Sequence, residues 1–291
     1  MNWEISNSSL STKIDLSQKH INKYKLTWDL EWIKELPKFY DYKIELAIEE
    51  ENRMKLFNWL MEVSIAYRLK KHAYFKTLMI FDLFLQELGR PLQINEIQLW
   101  GLTALFIAVK YEEEDYKFDL KKLVEFSKNS YSTTDFIKAE EIMFRKLGFN
   151  VSFATFLDVL EELMMRNNIF FERFDKFRNV AETILVRCLL STEMLKVRAD
   201  LFCSSVLLYT VSLFYEHFIY YLESKGKNVN RSELNYKETV FLDSIAKVTR
   251  LNKEMMTSVK ERIREVLENF ESLNFEGALN HIANLCDLDA F

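Results

Sequence analysis

The chain contains few residues that break helices, with 5 Gly and 2 Pro among 291 residues. Proteins rich in β-strands need Gly, Pro and Asn at their many turns, so this scarcity argues against a β-sandwich or barrel. It favours long helices joined by short loops. Hydrophobic residues make up 49% of the chain, and its 24 Phe and 13 Tyr residues supply large side chains for a helical core.

Cysteine and positive charge are also limited. Cys188, Cys203 and Cys286 form no CxxC pair, which is typical of reduced thiols in an intracellular protein. The net charge of −5 gives no reason to expect nucleic acid or an anionic membrane as the main partner. The longest charge-free stretch near the middle, residues 201–215, is shorter than the about 20 residues that a membrane-spanning helix needs. We therefore expect neither a nucleic-acid partner nor a membrane partner.

Motifs of catalysis are missing from the sequence. It has no GxGxxG loop, no Walker loop and no HExxH helix. The four histidines are scattered, and no Ser/His or Cys/His pair has a motif context. We expect a protein that is not an enzyme, with no metal site and no cofactor.

The hydrophobic spacing predicts an all-α chain with two sets of five helices. Residues 1–44 form an N-terminal tail and a helix at 28–36 that Pro37 ends. The first set lies within residues 45–150 and covers about 45–70, 72–88, 95–112, 119–127 and 132–147. The second set lies within residues 151–291 and covers about 152–166, 174–191, 199–222, 236–249 and 252–271.

Two local patterns support this division. Ser132 with Asp135 three residues later is typical of a helix N-terminus, and Gly148 of a helix C-terminus. Residues 99–106, shifted by 102 positions, align with residues 201–208, because both stretches are apolar with small residues one turn apart. This similarity suggests a duplication. Lys110 aligns with a serine in the second half, so its charge is peculiar to the first half.

Three charged residues of the first half lie among apolar neighbours. Lys110 follows Phe106 and Ile107, and it either binds something or is a helix-end charge stabilised by the acids after it. Glu140 is either a second contact residue or an exposed rim residue. Asp82 lies in an apolar helix and needs a cation, for which Arg53 is the candidate.

Five stretches together resemble consecutive blocks of a cyclin box. They are RMKLFNWLMEV (53–63), the Phe81-Asp82 step, QLWGLTALFIAVKYEE (98–113), YSTTDFIKAEEIMFRKLGFN (131–150) and FATFLDVLEEL (153–163). The pattern is most similar to mitotic cyclins of the A/B type. This resemblance implies two tandem five-helix cyclin folds and a regulatory subunit, located in the nucleus and cytoplasm, that activates a cyclin-dependent protein kinase in cell-cycle control. The kinase C helix would be held in its active position.

The resemblance also implies roles for individual residues. Lys110 and Glu140 match the positions that hydrogen-bond the backbone of the kinase C helix. Apolar positions of the same contact fall on Tyr111, Phe149 and Val151. Arg53 and Asp82 match an intramolecular ion pair between the first two helices of the box.

A second family site is altered in this sequence. The substrate-docking patch is represented by Leu56, Trp59, Glu62 and Gln98, but Asn52 and Lys55 replace two of its apolar residues. We therefore expect kinase substrates or inhibitors to bind this patch only weakly. Because the altered patch removes one feature of cell-cycle cyclins, two alternatives stay open. The chain could be a transcription-associated cyclin, or a cyclin-fold scaffold that activates no cell-cycle kinase.

Overall fold

Helices are the only regular elements among the residues that the structure describes. The computed structural model describes residues 47–114, 118–167, 175–224 and 231–272. The chain divides into two units, Met1–Glu35 and Leu36–Phe291, and every described residue belongs to the second. The all-α prediction is therefore confirmed for these ranges. The predicted tail and helix in residues 1–44, and Cys286, lie outside them.

Eleven helices occupy the described ranges, in two sets of five and one extra short helix. The first set is α1 (Glu50–Ala66), α2 (Lys71–Leu88), α3 (Ile97–Glu112), α4 (Leu120–Phe126) and α5 (Thr133–Lys146). The second set is α6 (Phe156–Arg166), α7 (Asp175–Leu189), α9 (Ala199–Ser224), α10 (Arg231–Thr249) and α11 (Lys253–Ser272), with the short α8 (Thr192–Leu195) after α7. The predicted boundary between residues 150 and 151 falls in the non-helical segment between α5 and α6 and stays a prediction.

Several helix ends have a local chemical cause. Ser132 and Asp135 form the predicted reciprocal capping box at the start of α5. Thr155 and Asp158 form another at the start of α6. Gly148 adopts the left-handed conformation, with φ of 59°, just after α5 ends, as expected for a glycine at that position.

Each set is built around one buried helix. Residues 100–109 of α3 are all buried, and α1, α2 and α5 pack against this helix. Gly101 lets α1 approach, because a Cβ atom at this position would lie 2.5 Å from a methyl carbon of Leu56. In the second set α9 has the same place, with residues 199–212 buried among α6, α7, α10 and α11. These are the two helices that the internal similarity paired.

Several helix bounds differ from the expected ones, and the helix expected over 236–249, for example, begins at Arg231. The first helix ends at Ala66 and not near residue 70, because the chain turns at Arg68, whose φ is 53°. The helix expected over 174–191 ends at Leu189, and Thr192–Leu195 then forms a separate turn of helix that is too short for its hydrophobic period to be recognised. None of the described helices is both long enough and apolar enough to cross a membrane.

Candidate functional site

Lys110 and Glu140 lie in contact on the surface of the first set of helices. Lys110 is in the last turn of α3, and its ammonium donates to the Oε1 atom of Glu140 in α5. The Lys110 side chain is 36% exposed and the Glu140 side chain 18% exposed. The Lys110 Nζ atom also lies 4.4 Å from the centroid of the Phe106 ring. The two out-of-place charges of the sequence therefore meet at the end of α3.

The partial burial of the pair affects the pKa of Lys110. Burial lowers the pKa of Lys110, while the adjoining carboxylate favours the charged ammonium and opposes that shift. An ammonium has three N–H donors and a carboxylate about four acceptor positions. After Lys110 and Glu140 have bonded to each other, both retain hydrogen-bonding capacity for a partner.

Exposed apolar side chains surround the ion pair. Tyr111 is 47% exposed and Phe149 71% exposed, and Val151 is half-buried in the segment after α5. The Tyr111 hydroxyl donates to the Oγ atom of Ser152 at 2.8 Å, which brings the end of α3 next to this segment.

Two residues of this surface were missed as site residues. Ile137, 52% exposed, and Phe144, whose ring stacks on Phe149 at a centroid distance of 6.1 Å, lie three residues before and four residues after Glu140 on α5. That helical spacing is the signal that could have found them. We call the following surface the contact face: Lys110, Tyr111, Ile137, Glu140, Phe144, Phe149 and Val151.

Phe149 is held in an unusual backbone conformation. Its φ is 60°, and its amide donates to the carbonyl of Phe144 at 2.8 Å. A left-handed conformation costs a residue with a side chain about 1–2 kcal/mol. The fold therefore presents a large, exposed aromatic side chain at a position where glycine would be more stable.

Arg53 and Asp82 form a buried ion pair between α1 and α2. The guanidinium donates to both Asp82 oxygens, at 2.9 and 2.7 Å, and the exposed fractions of these residues are 0% and 1%. Burial raises the pKa of Asp82, and the Arg53 charge opposes the rise. Arg53 also donates to the carbonyls of Leu189 and Leu190, at 3.0 and 2.8 Å, so the pair reaches the second set of helices.

Three residues of the predicted docking patch lie along one side of α1, and the fourth, Gln98, lies in the first turn of α3. Leu56 is buried against Gly101 of α3, and Trp59 and Glu62 follow it at intervals of three residues. Gln98 lies one turn before Gly101. The two altered positions beside them are polar and paired within α1, since Asn52 donates to Glu49 at 3.0 Å and Lys55 contacts Glu51 at 2.6 Å.

Lys76 of α2 is a buried cation that the sequence analysis did not single out. Its residue exposure is 3%, and its ammonium lies 3.1 Å from an oxygen of Glu112. The acidic run at the end of α3 is therefore not all solvated charge, since Glu112 is four-fifths buried. The signal was present in the sequence, because Lys76 interrupts the apolar stretch AYFKTLMIF as Lys110 interrupts its own.

One group of side chains in the described ranges could offer ligands to a metal ion. His72 of α2 lies 3.1 Å from Glu161 and 3.7 Å from Asp158, both on α6. Each member already has a structural role, because Asp158 caps α6 and Glu161 binds His72. The hydrogen bond that His72 Nε2 donates to the Glu161 carboxylate raises the pKa of His72, so we interpret the group as an ion pair between α2 and α6.

Comparison with known proteins identifies the fold around the contact face. Residues 22–152 match the cyclin N-terminal domain, a range that includes α1 to α5 and the whole contact face. Over this range the chain is similar to the cyclin family. Proteins of this family are regulatory and non-catalytic.

The chain has curated relatives among cyclins of the B type. It is 25% identical over 259 residues to "Cyclin-B2-2" of Arabidopsis thaliana, covering 84% of this chain and 56% of that protein. It is 27% identical over 154 residues to "G2/mitotic-specific cyclin-4" of Saccharomyces cerevisiae, covering 53% of this chain and 33% of that protein. The chain spans about half the length, or less, of these curated relatives.

A solved structure shares the fold. The crystal structure of a viral cyclin from herpesvirus saimiri superimposes with a TM-score of 0.58 and 18% identity, covering 80% of this chain and 94% of that chain. This similarity shows the cyclin fold alone. It agrees with two successive sets of five helices in the described residues.

Proposed function

We propose that this chain is a cyclin, a regulatory subunit that binds and activates a cyclin-dependent protein kinase in control of mitosis. The observation that carries the proposal is the Lys110–Glu140 pair, exposed within the apolar contact face at the end of α3. The curated relatives support the mitotic type, since one of them is named as specific to G2 and mitosis. A cyclin of this kind would act in the nucleus and cytoplasm and would itself catalyse no reaction.

The proposed mechanism is a shift of the kinase between two states. A protein kinase is active when its strand lysine pairs with the C-helix glutamate and its activation loop is ordered. A rigid surface that binds only this arrangement stabilises it by the difference between its affinities for the two states. The helices under the contact face provide such rigidity, because α3 is buried along residues 100–109.

The chemistry of the contact face fits a helix of the kinase as its target. Lys110 would donate to backbone carbonyls and Glu140 would accept from backbone N–H groups, which fixes the position of the helix. The aromatic side chains of Tyr111, Phe144 and Phe149 would supply most of the buried apolar area. The charges set orientation and register, and the rings set most of the affinity.

The contact assignment is tested by removing the pair. We expect the double substitution Lys110→Ala with Glu140→Ala to weaken binding to a purified monomeric mitotic kinase about 30-fold or more, as for loss of a hot spot of about 2 kcal/mol. Surface plasmon resonance measures the affinity, and circular dichroism checks the fold. The matched control is Lys122→Ala with Glu125→Ala, an exposed pair on α4 with a distance of 2.9 Å. Wild-type affinity in the double variant would rule out this contact face.

Docking of substrates or inhibitors at Leu56, Trp59, Glu62 and Gln98 stays a prediction, with weak binding expected because of Asn52 and Lys55. A transcription-associated role, or a scaffold role without kinase activation, is the alternative outcome. Tight binding of the kinase without any gain in its activity would favour the scaffold.

A further inference from the structure

Lys76 holds the segment between the two sets of helices against the contact face. Its ammonium donates to the carbonyls of Phe153 at 3.0 Å and Val151 at 3.3 Å. It also lies 3.1 Å from Glu112 Oε1 and 4.1 Å from the centroid of the Tyr111 ring. All these partners lie at the end of α3 or in residues 151–153, which we call the linker.

We propose that Lys76 is a positioning residue that fixes the linker and Tyr111 in the arrangement that the kinase recognises. The inference rests on the function proposed above, because Tyr111 and Val151 belong to the contact face. Lys76 itself, with a side chain 4% exposed, would not touch the kinase. It acts through the residues that it holds.

The Lys76 ammonium is surrounded by partners. It donates hydrogen bonds to two linker carbonyls and forms an ion pair with the Glu112 carboxylate. The rings of Tyr111 and Phe153 lie beside it at 4.1 and 5.2 Å, so part of its charge faces aromatic π-systems. A buried cation with these partners is held in one position and holds its partners in turn.

The linker, residues 151–153, is not helical. Within the described residues its hydrogen bonds come from Lys76 of α2, which binds the carbonyls of Val151 and Phe153, and from Tyr111 of α3, which binds Ser152. The position of the linker therefore depends on these two side chains. Removing the ammonium would leave two carbonyls and the Glu112 carboxylate without a donor, and they would regain one by moving toward water.

A general structural role would give a different result. An ion pair that only stabilises the fold would lower global stability without loosening the linker in particular. The matched comparison is Lys260 of α11, whose side chain is 12% exposed and lies 2.9 Å from Glu238. This lysine is also partly buried and paired, but it lies in the second set of helices.

The test compares Lys76→Met with Lys260→Met in two measurements on the whole chain. The first is the rate of chymotrypsin cleavage after Phe153, mapped by mass spectrometry, which reports local opening of the linker. We expect it to rise about tenfold in Lys76→Met, the effect of about 1.4 kcal/mol, and to stay unchanged in Lys260→Met. The second is the affinity for the monomeric mitotic kinase, which should fall about tenfold in Lys76→Met alone.

The outcomes are separable. Unchanged linker cleavage and unchanged kinase affinity in Lys76→Met would overturn the positioning role. Failure of the wild-type chain to bind the kinase would instead overturn the proposed function, while faster linker cleavage would still show that Lys76 holds the linker. If Lys76→Met does not fold, Glu112→Gln removes one charged acceptor of the ammonium, and a smaller rise in cleavage after Phe153 is then expected. No rise in that variant would contradict the proposal.

Discussion

Arg53 makes four hydrogen bonds in a fully buried site, two to Asp82 and two to the backbone carbonyls at the end of α7. A buried ion pair adds little stability compared with well-packed apolar residues, but removing one partner leaves a buried charge without compensation. Arg53 also joins α1, α2 and the end of α7 at a single side chain. Its importance for stability is therefore expected to be large.

We predict that Arg53→Met lowers the free energy of unfolding by about 3–5 kcal/mol, because Asp82 remains buried and unpaired. Urea denaturation followed by circular dichroism measures the loss. Arg145→Met is the control, since Arg145 pairs with Glu141 on an exposed face of α5 and such pairs contribute about 0.3–0.5 kcal/mol. Losses of equal size in the two variants would show that the buried pair is not a main support of the fold.

Phe149 gives a prediction in which stability and function change in opposite directions. Phe149→Gly should raise the free energy of unfolding by about 0.5–1 kcal/mol, because relief of the left-handed backbone, about 1–2 kcal/mol, exceeds the lost ring contact of about 0.5–1.5 kcal/mol. Affinity for the kinase should fall at least about tenfold, since an exposed aromatic of the contact face is removed. Thermal denaturation and surface plasmon resonance measure the two effects.

The control for this prediction is Asn129→Gly. Asn129 has a φ of 61° and makes the corresponding hydrogen bond to the residue five positions before it, at the end of α4. Asn tolerates this conformation, so the change should be small in both measurements. If Phe149→Gly is less stable than wild type, the backbone of Phe149 is not strained, and if it binds the kinase normally, Phe149 is not part of the interface.

At the scale of elements, α2 makes polar contacts with α1, with the linker and with α6. Asp82 binds Arg53, Lys76 binds the linker, and His72 binds Asp158 and Glu161 of α6. The helix is buried on nearly all sides from Ala73 to Leu85, so its charged residues must find partners within the protein.

The contact between α2 and α6 should depend on pH. The pKa of His72 is raised above its ordinary value of 6.5, first because of the hydrogen bond with Glu161 and further because of the charges of Asp158 and Glu112. A raised pKa in the folded state means that this contact stabilises the fold fully below pH about 6.5. The stabilisation is then lost as the pH rises through the folded-state pKa.

We therefore predict that the difference in unfolding free energy between wild type and His72→Asn is larger at pH about 6 than at pH about 8.5. Urea denaturation of both proteins across this range measures it, and subtraction removes the effect of the other titrating groups. Glu161→Gln in place of His72→Asn should remove most of the pH dependence while keeping the histidine. A difference that stays constant, or that increases with pH, would contradict the ion pair.

The sequence predicted the helices well where local chemistry marks their ends. The capping box at Ser132 and the glycine at position 148 placed α5 almost to the residue. The short α8 was missed because four residues contain too little of a helical period. The burial of Glu112 could not be predicted, because its partner Lys76 comes from another helix and sequence alone does not show that approach.

The sequence also predicted only those parts of the candidate site that do not depend on contacts between distant residues. Lys110 and Glu140 were recognised because each interrupts an apolar helix face, and the structure brings them together across 30 positions of the chain. The carbonyl partners of Arg53 lie 136 and 137 positions away, and backbone acceptors have no sequence signature. Phe144 and Ile137 are spaced as apolar residues are in many helices. This spacing marks them as contact residues only once Glu140 is known to lie at the surface.

For the whole molecule, the contact face is supported from both sets of helices. Glu50 of α1 accepts from the backbone and hydroxyl of Thr192, at 2.7 and 3.0 Å, beside the Arg53 contacts with the end of α7. Lys76 and Tyr111 hold the linker. The second set therefore stiffens the surface that the first set presents, which is what a subunit acting by differential binding requires.

The central claim is that this surface converts an inactive kinase into an active one. The most direct measurement is the phosphorylation rate of a monomeric mitotic kinase with and without saturating amounts of the chain. A kinase that rises from about 1% to nearly full occupancy of its active state gains about 100-fold in rate, and we expect a gain of this order. Lys110→Ala with Glu140→Ala should abolish it at the same concentration. A bound kinase whose rate does not rise, or a rate that rises equally with the double variant, would contradict the account.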